Sequence, residues 1–118
     1  MSGPKEAVRA DERFAALCTA FAGRAGVGIA DNRGFARGGL TINGKLFAVR
    51  HKHGLLLKLP AKLVRALLDQ NKGRPFSAGR PAALREWIIV SAEAEQDWLR
   101  LAEEALIFVK RVPALQIS

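Results

Sequence analysis

The sequence predicts an α+β fold in two layers: a largely antiparallel sheet with helices packed on one face, in a single domain spanning residues 1–118. Three observations carry this. Apolar residues recur at helical spacing near the start, after Pro60 and near the end of the chain. Between the first two helices, "LTINGKLFAVRHKHGLLLKLP" reads as strands joined by tight turns. The order helix, strands, helix, strand, helix makes hairpins dominate, which favours antiparallel pairing with the helices on one side. A length of 118 residues suffices for one core, and a hydrophobic share of 49% against 25% charged is a globular balance, not a disordered one.

Residues 5–22 read as the first helix. Phe14, Leu17, Cys18 and Phe21 fall at i, i+3, i+4 and i+7, one apolar face, and Gly23 is the expected stop. The segment 23–39, "GRAGVGIADNRGFARGG", is a glycine-rich connection with room for a short edge strand near Val27–Ala30. Asn43-Gly44 marks a type I′ turn, which pairs Ile42 with Lys45 and Leu40 with Phe47. The next turn is the harder one. A two-residue turn at His53-Gly54 would set Lys58 beside Val49 and bury a charge. A three-residue turn, Lys52-His53-Gly54, pairs Val49 with Leu57 and is expected instead, with Gly54 as its left-handed residue. Leu40, Ile42, Phe47, Val49, Leu55, Leu57 and Leu59 then face inward. Thr41, Leu46, Ala48, Arg50, Leu56 and Lys58 face outward.

Pro60 suits the first turn of a helix whose buried stripe is Leu63, Val64, Leu67 and Leu68, with Lys62, Arg65 and Asp69 toward water and Asn71-Lys72-Gly73 as its end. "GRPFSAGRP" is a loop or short strand, and Glu86–Ser91 a strand. The last helix runs from about Ala94 to Arg111 with Trp98, Leu101, Ala102, Ala105 and Val109 on its apolar stripe. Acids at its start and Lys110 and Arg111 at its end complement the helix dipole, and Pro113 ends it.

Charge is the strongest compositional signal. The chain carries +8 overall, but residues 24–85 alone hold thirteen basic side chains against Asp31 and Asp69, whereas residues 86–118 are net negative. Such segregation favours an anionic partner such as nucleic acid, with solubility alone as the competing reading. No apolar run approaches the roughly 20 residues of a membrane span. The N-terminus lacks the apolar stretch of a secretory signal, and the lone Cys18 excludes an internal disulfide. A cytoplasmic protein away from membranes is expected.

"LTINGKLFAV", "GLLLKLPAKLVRALL", "GR…REWIIVS" and "DWLRLAEEALIFVKR" together resemble the N-terminal domain of the TfoX/Sxy family. The likeness runs from Phe35 to Arg111, and Asn43-Gly44-Lys45 with Phe47-Ala48 is its most specific part. The related MmcQ/YjbR proteins share the K-x-F-A, L-K-L-P and tryptophan features, and the sequence leaves the two assignments open. Gly34 and Ala36 stand where family members commonly have Met and Gly around a Phe. The resemblance implies a small α+β domain like the type III secretion chaperones and a role in bacterial competence and transcription regulation. It brings no base-reading motif, and the C-terminal helical domain of full-length members has no counterpart in this sequence.

Sites of chemistry are sparse. His51 and His53 would point the same way in one strand and could ligate zinc, but the expected turn separates them, and Cys18 sits on a buried helix face, so no metal or other cofactor is expected. Ser77 and Ser91 lack a nucleophile motif, "GFARGG" lacks the Lys-Ser/Thr of a phosphate loop, and "GVGIAD" lacks the third glycine of a dinucleotide fingerprint. Trp87 and Trp98 fit core packing better than base stacking. The expectation is a non-enzymatic regulatory domain. Arg33, Arg37, Lys45, Arg50, Lys52 and Lys58 would bind phosphate oxygens of nucleic acid through a basic sheet face and loop, without sequence preference. The alternative is a protein-interaction module or homodimer that docks through the outer sheet face or an edge strand.

Overall fold

The computed structural model describes residues 4–31, 37–52, 54–77, 79, 81–91 and 98–111, with side chains of the first helix described from Ala10 onward. The elements are α1 (Pro4–Phe21), β1 (Val27–Ile29), β2 (Leu40–Ile42), β3 (Lys45–His51), β4 (Gly54–Lys58), α2 (Ala61–Asp69), β5 (Arg74–Pro75), β6 (Trp87–Ser91) and α3 (Trp98–Arg111). Six strands form one sheet in the order β1-β2-β3-β4-β6-β5, with antiparallel pairing between all neighbours. The predicted α+β class and antiparallel sheet are therefore present, and β1 is the edge strand expected near Val27–Ala30.

All three helices place side chains in the cluster on one sheet face. Leu17 and Phe21 of α1, Val64 and Leu67 of α2, and Trp98, Leu101, Ala105 and Val109 of α3 meet Phe47, Leu55, Leu57, Leu59, Ile88 and Val90 there. Phe47 and Leu57 are fully buried, and Leu67, Trp98 and Leu101 nearly so. The Trp98 indole N–H donates to the Ser91 carbonyl at 3.0 Å, which gives the one polar atom of that ring a partner. α2 ends where Asn71 takes φ 60; Lys72 N–H donates to Leu67 O and Asn71 N–H to Leu68 O, the paired bonds of a Schellman cap. Just past the end of α1, the Arg24 guanidinium lies 4.5 Å from the Phe21 ring centroid and grips the Glu103 carboxylate of α3 with both nitrogens. Those hydrogen bonds hold the Glu103 carboxyl below its ordinary range.

The middle hairpins depart from expectation in two places. Asn43 and Gly44 form the turn as predicted, with φ of 53° and 83°, and Ile42 pairs with Lys45. Beyond that pair the register shifts: Thr41 faces Leu46, but Leu40 faces Ala48, so Phe47 is the extra residue of a β-bulge. Phe47 and Ala48 both enter the helix-side core, and the alternation after them is inverted. Val49, expected inward, belongs to the opposite face. Arg50, expected outward, reaches Asp11 of α1 at 2.6 Å.

The second departure is the turn between β3 and β4. His51 pairs with Gly54 and Ala48 with Leu57, so Gly54 belongs to β4 and the connection is two residues long, not three; His53 lies outside the described residues. Lys52 supplies the left-handed conformation, with φ 56. Gly54 is instead a strand residue: a Cβ there would lie 2.6 Å from the Val90 carbonyl oxygen of β6, so only glycine lets the strands approach. The two changes offset one another. Leu55, Leu57 and Leu59 still point into the core and Lys58 still points away from it.

The second sheet face carries a smaller cluster. Val49, Leu56 and Ile89 are buried there beneath Phe76, which follows β5, with Leu46, Leu84 and Trp87 packed at its margin. His51, Phe76 and Trp87 stand edge to face in a row, with centroids 5.2 and 6.4 Å apart, and the Lys58 ammonium lies 5.4 Å over the Trp87 ring. The outer face is thus covered by the chain itself, and it is not an open basic surface.

Candidate nucleic-acid interface

Of the six residues expected to bind phosphate, the five that are described do not gather on one surface. Arg33 lies outside the described residues. Arg37 is exposed beside β2 near the β1 edge, at the opposite side of the sheet from β5. Lys45 is half-buried where β3 leaves the Asn43-Gly44 turn, paired with Ile42. Arg50 is on the helix side, held by Asp11 and donating to the Lys52 carbonyl. Lys58 sits 3.7 Å from Glu86 and over Trp87. Lys52 projects at an exposed hairpin tip next to a hollow. Of the described arginines of the Arg24–Arg37 loop, Arg24 is committed to Glu103 and Arg37 sits at the far edge, so neither joins the sheet-face cations.

A different group of cations does come together, around the short edge strand β5. A hollow of about 570 Å³ lies between α2 and residues 83–85. Val64, Leu68, Pro75 and Leu84 form its apolar wall. Lys62, Arg65 and Arg85 are exposed around it, and Asp69 is the one acid among its described lining residues. A second hollow of about 490 Å³ lies on the other side of β5, bounded by His51, Lys52, Phe76, Ser77, Gly79 and Ile89, with no acid in its described lining. The two share Pro75. Arg74, exposed on β5, lies close enough to His51 to act on its charge. Burial first, then the positive charges of Lys52 and Arg74, hold the His51 imidazole below its usual proton affinity.

Local sequence explains why these cations are available. Lys62 and Arg65 sit one helical turn apart on the polar side of α2, opposite the Val64–Leu67 stripe. Arg74 and Pro75 form a two-residue edge strand, which exposes Arg74 and offers little backbone to a neighbouring chain. Lys62, Arg65, Arg74 and Arg85 all belong to the basic segment 24–85. The sheet-face residues stand out in the sequence instead because Arg50 and Lys58 fall on the expected outer face of the hairpins. Among the described residues no three His, Cys, Asp or Glu side chains gather as a metal site, and no helix is long and apolar enough to cross a membrane.

Fold and site together define a small antiparallel α+β domain with a basic, two-sided edge. No protein-family model matches the chain, and no curated protein or solved structure is significantly similar to it.

Proposed function

We propose that this chain is a non-catalytic regulatory domain that holds nucleic acid by its phosphates along the β5 edge. The observation that carries the reading is the pair of hollows joined at Pro75, with Lys52, Arg74, Lys62, Arg65 and Arg85 around them and Asp69 as the one acid among the described residues lining either. Cations spread over such a band neutralise successive phosphates and give affinity without reading bases. The regulatory role rests on the resemblance to TfoX/Sxy domains. Fluorescence anisotropy of a labelled oligonucleotide, from low to physiological salt, tests it. Affinity should fall steeply with salt and vary little with sequence. Absence of binding at low salt would overturn the reading.

A protein-docking role has its own support. Ile29 on edge strand β1 is 59% exposed, and Leu99 and Ile107 on α3 are 48% and 45% exposed two turns apart. These apolar residues lie away from the basic edge. An oligomeric state above monomer, abolished by Ile29→Lys or Leu99→Lys, would bring that reading forward.

A further inference from the structure

We propose that the hollow beneath the β3–β4 hairpin tip seats one base of a single-stranded nucleic acid, stacked on the His51 ring, while Lys52 and Arg74 hold the flanking phosphates. This rests on the phosphate-binding reading above and deepens it: it assigns single strands, and not duplex, as the ligand.

The geometry points there for four reasons. The hollow, at about 490 Å³, is within the usual range for a small-molecule site, whereas a duplex would present only its backbone to a cavity of this kind. Its walls are of two kinds, apolar at Pro75, Phe76 and Ile89 and polar at Lys52 and Ser77, which suits a flat ring with polar edges joined to a phosphate. The His51 ring is half-exposed and braced edge-on by Phe76 at 5.2 Å, so it is a supported platform and not a loose side chain. Lys52 lines the seat and Arg74 lies near its His51, with no acid in its described lining, so an anionic backbone is the complementary partner. Burial and the charges of Lys52 and Arg74 lower the proton affinity of His51, which favours the uncharged ring and lessens the charge to be desolvated under the base. Aromatic stacking of this type tolerates any base, in keeping with binding that ignores sequence.

The test compares a ten-residue oligothymidylate with an abasic strand of the same length, which has the same phosphates and no bases. Anisotropy is measured on the full chain at low salt. The oligothymidylate should bind at least about fivefold tighter, the lower end of one stacked base. His51→Ala should erase that preference and leave abasic binding unchanged. His51→Phe should retain it, because a ring and not a charge is needed. Lys52→Ala should weaken both strands alike. Equal affinity of the two strands for the unmodified protein, or loss of the preference in His51→Phe as well, would overturn the base seat while leaving phosphate binding intact. Failure of both strands to bind would overturn the phosphate reading and the seat together.

Discussion

The two faces of the sheet start from similar residues and end in different states. The helix side is a continuous core to which all three helices contribute. Among the described residues the other side has a cluster of four buried side chains, Val49, Leu56 and Ile89 with Phe76 over them. Leucines and valines on both faces are covered, yet only the first face has the depth of a core. The difference shows where a binding function fits. A hollow between α1 and α3 on the helix side is lined by Ala16, Leu17, Ala20, Trp98 and Leu99 with Arg13 as the one cation of its described lining, whereas the two hollows beside β5 have several exposed cations around them.

This contrast can be broken by truncation on each face. Leu57→Ala should cost about 2–5 kcal/mol, because Leu57 is fully buried among side chains from strands and helices that cannot close on the gap. Phe76→Ala removes a larger side chain, but from a much smaller cluster than the helix-side core. A loss of about 1–3 kcal/mol, below the usual cost of a buried phenylalanine, is expected. Urea denaturation of both variants measures this. A larger loss for Phe76→Ala than for Leu57→Ala would make the outer cluster a second core and erase the distinction.

Smaller effects sharpen it. Asp11→Asn should cost less than about 1 kcal/mol, since Asp11 is exposed and its partner Arg50 only partly buried, and should leave oligonucleotide binding unchanged because Arg50 lies on the helix side. His51→Gln reports on the outer margin through pH. The unfolded chain takes up a proton at His51 near the usual value of 6.5, whereas the folded chain resists protonation to lower pH. Stability should therefore decline as pH falls from about 6.5 through the folded value, and level off below it. His51→Gln should flatten that part of the profile in thermal melts taken between about pH 7.5 and 5, the range that brackets histidine titration. An unchanged slope would show that His51 is not held neutral by its neighbours.

Much of the fold was legible because local signals agreed with it. The α1 and α3 stripes, the Asn43-Gly44 turn, the Asn71 end of α2 and the inward Leu55, Leu57 and Leu59 all follow from periodicity or turn chemistry. The bulge was not legible. Nothing in "KLFAVRH" distinguishes an unbroken strand from one in which Phe47 and Ala48 both turn inward. The clue lies across the sheet at Gly39, where a Cβ would come within 2.8 Å of the Val49 Cβ. One missed residue there reversed Val49 and Arg50, and with them the supposed basic face. The turn at Lys52 misled for a related reason: glycine was assigned the left-handed position, when Gly54 was needed for close packing on Val90. The cations around β5 were visible as charge, but their convergence depends on the crossover that carries the chain from β4 through α2 to the far side of β6.

Salt dependence sets the β5 edge against the sheet-face residues most directly. A Lys62→Ala/Arg65→Ala/Arg85→Ala triple variant and an Arg50→Ala/Lys58→Ala double variant are titrated with the same labelled oligonucleotide across salt. If phosphates lie along the β5 edge, the triple variant flattens the slope of log affinity against log salt by about two for a single strand, while the double variant keeps the slope of the unmodified protein. A double variant that flattens the slope while the triple leaves it intact would contradict binding at the β5 edge and return the surface to the hairpin ribbon.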